Sequence, residues 1–181
     1  MHRFTFYSVI TLFFVSFCST AFADHEIKHF RDITWASPND FNLTLDIAIP
    51  ATKTKNKPVL IIFHGGGWLL NNKSIMTDLA NTIATRTDII TVNVNYRLLS
   101  DVNNTTTVNE IVEDAFGAVV WVKNNIKRYG GDPHKVAVTS DSAGGHLAAM
   151  ITVAGRNLGS DGFNEKPLRF KPTYLPKGVT A

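Results

Sequence analysis

The stretch from Thr139 to Leu147, Thr-Ser-Asp-Ser-Ala-Gly-Gly-His-Leu, constrains the fold of this chain more than any other. Ahead of it, Lys135 to Thr139 is a short strand-like run, and behind it Leu147, Ala148, Met150 and Ile151 begin a helical stripe. Ser142 stands at the joint. A serine on a sharp strand-to-helix turn points its hydroxyl outward beside the backbone N–H groups of a helix N-terminus, where negative charge is favoured. Such a turn needs small neighbours because strand and helix approach closely. Gly144 and Gly145 supply them on the helical side, and Ser140 stands where the G-x-S-x-G pattern has its first glycine. Taken alone, S-x-S-x-G fits two readings equally: a nucleophile elbow, or a loop running into a packed Ala/Gly-rich helix.

A second motif separates those readings. His64-Gly65-Gly66-Gly67-Trp68 directly follows the apolar run Val59 to Phe63. Three successive glycines let the backbone turn sharply and bring bare N–H groups against a ligand, which is what stabilising an oxyanion requires. Asn95-Tyr96-Arg97-Leu98 and Gly130-Gly131-Asp132-Pro133 complete a set of four motifs in order. On these residues the chain resembles the hormone-sensitive-lipase-like branch of the α/β-hydrolase carboxylesterases, marked by H-G-G-G and G-D-S-A-G-G. The resemblance implies that Ser142 attacks an ester carbonyl and that the N–H groups of Gly65, Gly66 and Ala143 bind the resulting oxyanion. It also implies supporting roles for His64, Gly67, Asp141, Gly144 and Gly145, a small-molecule ester as substrate, and no metal or organic cofactor. Arg97 and Asp114 match positions of a buried pair in that family, whereas the residues alone fit two solvated charges equally well. Leu99 to Asn104 departs from the family's Y-R-L-A-P-E continuation.

The remaining pattern suits an α/β sheet. His29 to Ala36 and Phe41 to Ile49 predict an antiparallel hairpin about Ser37-Pro38-Asn39-Asp40, with Leu43, Leu45, Ile47 and Ile49 on one buried face. Val59 to Phe63 lacks alternation and predicts a strand buried on both faces. Ser74 to Thr85 predicts a helix and Ile89 to Tyr96 a strand. Thr107 and Glu110 form a T-x-x-E capping box ahead of a long stripe from Val108 to Ile126, which stops at Gly130 and Pro133. Strands alternating with helices imply parallel pairing with crossover helices. The family likeness adds the order 1-2-4-3-5, with the hairpin in front and the sheet cut off after the elbow helix, Lys177 to Ala181 reading as the first residues of a sixth strand.

Met1 to Ala23 has a basic start, an apolar stretch from Val9 to Phe17, and Ala21-Phe22-Ala23 before Asp24, the layout of an export signal. Removal of residues 1–23 would leave 24–181 as part of one α/β-hydrolase domain in a periplasmic or secreted protein. Cys18 is the one cysteine among 181 residues and lies inside that segment, so neither a disulfide framework nor a thiolate metal site is expected. The small positive net charge of +3 is not gathered into a basic run, which argues against nucleic acid as a partner. Asn42, Asn103 and Asn104 open N-x-S/T sequons.

The proton-transfer half of a serine hydrolase is not in sight. In this fold the chain order is Ser, then Asp or Glu, then His. After Ser142 come only His146, Asp161 and Glu165, the histidine ahead of both acids and one helical turn from the serine. His25, His29 and His134 look like surface or turn residues, and Trp68 fits either an acyl pocket or plain packing. Three expectations follow: an exported esterase whose acid and base lie beyond residue 181, a non-catalytic relic or binding module, or half of a split esterase completed by a second chain. An open sheet edge after the elbow strand also predicts self-association.

Overall fold

The computed structural model describes residues 24–154. The segment read as an export signal, the carboxylates Asp161 and Glu165 and the run from Lys177 lie outside the described residues. Strand β1 (Ile27–Ala36) turns through a short 3-10 segment, Pro38–Asp40, into β2 (Leu43–Pro50). Asn39 and Asp40 take left-handed φ values of 51° and 61° there, which short polar side chains tolerate best among non-glycine residues. Then come β3 (Lys57–Phe63), the 3-10 turn Lys73–Met76 with helix α1 (Thr77–Arg86), and β4 (Ile90–Val94). A short turn α2 (Asp101–Asn104), left-handed at Val102 and Asn103, leads to the long helix α3 (Val108–Asn125). Strand β5 (Gly131–Ser140) and helix α4 (Ser142–Ala154) complete the described chain.

The sheet order is β1-β2-β4-β3-β5, as the family likeness implied. Strands β4, β3 and β5 run parallel, while β2 is antiparallel to both β1 and β4, so the sheet is mixed. Alternation along β3 divides its side chains between two layers. Val59, Ile61 and Phe63 join the main core with Ile111, Ala115, Phe116 and Val119 of α3 and Leu147 and Ile151 of α4. Ile62 packs with Met76 and Ala80 on the other face. The prediction of a central strand buried on both sides therefore holds, and it places the end of β3 between two helical layers.

Local chemistry sets the boundaries. The Thr107 hydroxyl accepts the Glu110 N–H at 3.3 Å and the Glu110 carboxylate accepts the Thr107 N–H at 2.9 Å, the reciprocal cap expected from T-x-x-E. Gly130 adopts φ 85° after Tyr129, the left-handed stop of the helical run. Two expected elements are shorter than predicted. The regular α1 helix starts at Thr77 instead of Ser74, because the Lys73 N–H bonds to the Asn95 side chain and the Ser74 N–H to the Asn72 side chain. Strand β4 ends at Val94 instead of Tyr96, because the Arg97 N–H turns inward to Asp114. Strand β5 starts earlier than Lys135, with a break in register between Gly131 and Val136 where Asp132 accepts the His134 N–H.

Candidate functional site

β5 and α4 meet at Ser142, which is exposed and holds φ 43°. That left-handed value in a non-glycine residue is sterically unfavourable and persists only where the surroundings over-determine it. Two contacts do so. The Ser140 hydroxyl donates to the Phe63 carbonyl at 2.5 Å, tying the end of β5 to the end of β3. Beside it, a Cβ on Gly144 would run into the Ser140 hydroxyl and lie 2.7 Å from the Phe63 oxygen and 2.8 Å from the His64 oxygen. The first turn of α4 thus rests directly on the backbone where β3 gives way to the glycine loop. Ser140, read as a small stand-in for glycine, also makes a bond that glycine cannot. Gly145 differs: nothing lies within 4 Å of a Cβ built there. Ala143 is buried.

The glycine loop supplies the opposite wall. A Cβ on Gly65 would lie 2.8 Å from an Asp141 carboxylate oxygen, so the loop and the residue before Ser142 are in contact. Gly66 has φ 129° and Gly67 φ 62°, and Trp68 continues at φ 62°. At Gly66 a side chain would also collide with the Leu70 carbonyl. His64 anchors the start of this loop. It is 1% exposed, its Nδ1–H donates to the Gly65 carbonyl at 2.8 Å, and its ring stacks on Tyr96 with centroids 4.3 Å apart. The Tyr96 hydroxyl donates to the His64 carbonyl at 2.6 Å. Burial and the Asp141 charge both push the Tyr96 phenol above its ordinary range, so it stays a donor.

Burial pushes the His64 imidazole below its ordinary value of 6.5, against the opposing pull of the Gly65 carbonyl and the Asp141 charge. The unfolded chain therefore takes up a proton near pH 6.5 while the folded chain still excludes it. Stability from this residue is present above 6.5 and is lost as pH falls through the lower folded value. His64→Gln is expected to flatten the decline in urea midpoint between pH 7.5 and pH 5. An unchanged slope would show that His64 does not govern it.

The other sequence-predicted residues are placed as follows. His146 is exposed on α4 one turn beyond Ser142, with its ring edge-on to Trp68 at 5.4 Å and 89°. His29 and His134 are exposed and His25 is half-buried. The Trp68 ring is half-buried, and its carbonyl accepts the Leu99 N–H at 2.8 Å. Arg97 and Asp114 form a buried pair, with Nε to Oδ2 and Nη2 to Oδ1 both at 2.7 Å and neither side chain exposed. Burial works against the Arg97 charge, but Asp114, Glu110 and Glu113 raise its pKa above the ordinary value. No motif in the sequence points to a role for Tyr96 itself or for the group around Lys73. Asn93 within β4 and Asn95 just after it are the signal that the sequence offers.

With this geometry in place, the comparisons with known proteins are specific. The BD-FAE family model matches residues 45–172. The chain belongs to the BD-FAE family. Carboxylesterase NlhH of Mycobacterium tuberculosis is 32% identical over 127 residues, covering 70% of this chain and 37% of the relative. The para-nitrobenzyl esterase of Bacillus subtilis is 34% identical over 119 residues, covering 61% of this chain and 24% of the relative. Among solved structures, the native Est2 esterase of Thermogutta terrifontis superposes with a TM-score of 0.60 at 28% identity, over 73% of this chain and 45% of that one. A bacterial heroin esterase has a TM-score of 0.62 at 24% identity and shares the fold, over 77% of this chain and 42% of that one. The BD-FAE chain therefore carries an α/β-hydrolase esterase fold and spans less than half the length of each of these relatives.

Proposed function

We propose that this chain carries the nucleophile and oxyanion hole of a serine carboxylesterase acting on small-molecule esters. The observation that carries the reading is the left-handed backbone of Ser142 between β5 and α4, against the start of the glycine loop. Strain at a solvent-facing serine on a helix N-terminus is the arrangement of an activated hydroxyl. Ser142 Oγ attacks the ester carbonyl carbon, and the carbonyl π pair moves to oxygen, where the N–H groups of Gly65, Gly66 and Ala143 receive the oxyanion. Each such donor contributes about 2.7–4 kcal/mol toward lowering the barrier. The base that takes the serine proton returns it to the leaving oxygen as the intermediate collapses, which expels the alcohol and leaves an acyl-serine that water then hydrolyses.

The step also needs a base for the serine proton. His64 is committed to the Gly65 carbonyl and the Tyr96 ring, and His146 lies on the helix of Ser142 itself. We therefore assign the base and its orienting acid to residues outside the described segment, in the same polypeptide or in a completing chain. Export by residues 1–23 belongs to the same proposal and places the site outside the cytoplasm.

The test is covalent. The Thermogutta terrifontis esterase 2 has been captured phosphorylated by paraoxon. Paraoxon is expected to add one diethyl phosphoryl group to Ser142 of the active protein, read by intact mass and peptide mapping, and Ser142→Ala should lose both the adduct and 4-nitrophenyl acetate turnover by at least about 10⁴-fold. Full turnover by Ser142→Ala would sink the assignment. A protein that binds ester but neither turns over nor takes the label, even with a downstream chain supplied, is instead a non-catalytic relic.

A further inference from the structure

The glycine loop has little regular structure of its own to hold it in place. Between Phe63 and Lys73, Gly66, Gly67, Trp68 and Asn71 all have positive φ, and ties within the loop include the His64 Nδ1–H bond to the Gly65 carbonyl, the Leu69 and Leu70 N–H bonds to the Gly66 carbonyl and a long 3.4 Å bond from Asn71 to the Gly65 carbonyl. Its front end is held by His64 and Tyr96, and its middle by the Leu99 N–H on the Trp68 carbonyl. The rear end is Lys73, where every polar atom is used. Its N–H donates to Asn95 Oδ1 at 2.7 Å, and its carbonyl accepts from Asn93 Nδ2 at 2.5 Å. Its ammonium donates to Asp32 Oδ1 and Asp46 Oδ1, both at 2.7 Å. Lys73 is 8% exposed, so burial alone would push the ammonium down, yet the two carboxylates raise it above its ordinary value.

These partners come from three strands. Asp32 sits in the β1 bulge at φ 52°, and its own N–H donates to Asp46 Oδ1 at 2.8 Å. Bulges re-aim a side chain and interrupt pairing, and this one brings a carboxylate over β2. Asp46 belongs to β2, Asn93 to β4, and Asn95 follows β4 and donates to Thr44 at 3.1 Å. An apolar side chain could fill the space occupied by the lysine stem, but it could not hold two carboxylates from neighbouring strands at one point.

We propose that Lys73 is a positioning residue for the esterase reaction, bolting the rear of the oxyanion loop to β1, β2 and β4 so that Gly65 and Gly66 are held in register with Ser142. The inference rests on the esterase reading for its catalytic consequence, but not for the clamp itself. Donors to a developing charge must be held within about 0.5 Å of their productive place. Loosening the rear of the loop removes stabilisation made only in the transition state, which lowers kcat and leaves KM nearly unchanged.

The experiment uses the full-length protein and the variants Lys73→Met, Lys73→Arg and Asp32→Ala, read by amide hydrogen exchange and by 4-nitrophenyl acetate kinetics. In Lys73→Met, exchange of the amides of residues 65–72 is expected to rise about tenfold while those of β3 and β4 stay protected, and kcat is expected to fall about tenfold with KM within twofold. Lys73→Arg should restore most of both. Asp32→Ala, at a side chain that is 74% exposed, removes one leg without threatening the fold and should shift both readouts in the same direction by less. Unchanged loop exchange in Lys73→Met or Asp32→Ala overturns the clamp, as does an equal rise across the whole sheet. A wild type that neither hydrolyses ester nor takes the paraoxon label, even with a completing chain supplied, defeats the esterase reading, and the exchange data then still decide the clamp. A Lys73→Met chain that fails to fold leaves the decision to Asp32→Ala and Lys73→Arg.

Discussion

Asp114→Ala is expected to lower the unfolding free energy by about 3–5 kcal/mol, a large share of the ~5–15 kcal/mol of an ordinary domain. The carboxylate accepts three N–H bonds from Arg97: the backbone N–H at 3.0 Å, and Nε and Nη2 at 2.7 Å each. Removing it leaves a guanidinium with no exposed surface facing an empty site. The remaining bonds, from Nη2 to the Glu110 carbonyl at 3.2 Å and from Nη1 to its carboxylate at 3.4 Å, are longer. The truncation measures the penalty of an orphaned charge rather than the net worth of the pair. A double replacement, Arg97→Met with Asp114→Leu, should therefore lose much less than Asp114→Ala alone. Urea unfolding of the three proteins decides the matter, and a loss under about 1 kcal/mol in Asp114→Ala would mean that water reaches the pair.

Gly144→Ala is expected to do its damage at Ser142. The added methyl meets the Ser140 hydroxyl and two backbone carbonyls, those of Phe63 and His64. The hydroxyl can rotate away, but the carbonyls belong to a buried strand end and the clamped start of the glycine loop. Helix α4 must therefore step back from β3, carrying Ser142 with it. Overpacking of this kind typically destabilises by about 1–3 kcal/mol. A displacement near 1 Å lowers a positioned reaction by about 10²-fold, so the paraoxon labelling rate of Ser142 should fall by that order. Gly145→Ala is the matched control. It meets open space within a helix, where alanine is favoured by about 0.5–1 kcal/mol, so its stability should hold or rise and labelling should be nearly unchanged. Equal effects of the two substitutions would contradict the close approach at Gly144.

The difference between these adjacent glycines marks what the sequence could and could not disclose. Position in a motif named both, but only coordinates tell which one faces a carbonyl. Elements with local causes were legible: the T-x-x-E cap on α3, the apolar run Val59 to Phe63 of β3 and the hairpin about Pro38 follow from neighbours in sequence. The strand order came through family likeness, since periodicity does not specify which parallel strand lies next to which. Arg97 and Asp114 were undecidable as residues, because solvated and buried charges carry the same letters, and burial depends on how α3 lies across the sheet. Lys73 was hidden for a related reason. Its partners are 27 and 41 residues away, and one of them is aimed only by a bulge. The segment from Leu99 to Asn104, where the family pattern lapsed, contains three consecutive left-handed residues, Val102, Asn103 and Asn104, an arrangement that β-branched Val102 gave no reason to expect.

The bond from Ser140 to Phe63 also says something about time. Its ends lie 77 residues apart, whereas the cap at Thr107 spans 3 and the Arg97–Asp114 pair spans 17. Closing the longer loop carries about 1.3 kcal/mol more chain entropy than closing the 17-residue one, and non-local contacts of this kind form slowly. The helix cap and the arginine latch can form on short-range contacts, but the twist at Ser142 waits until β5 has zipped onto β3. A chain caught before that step holds an ordinary serine, so the strained backbone at this position is expected to arise only after β5 has joined β3 and to report that this pairing is made.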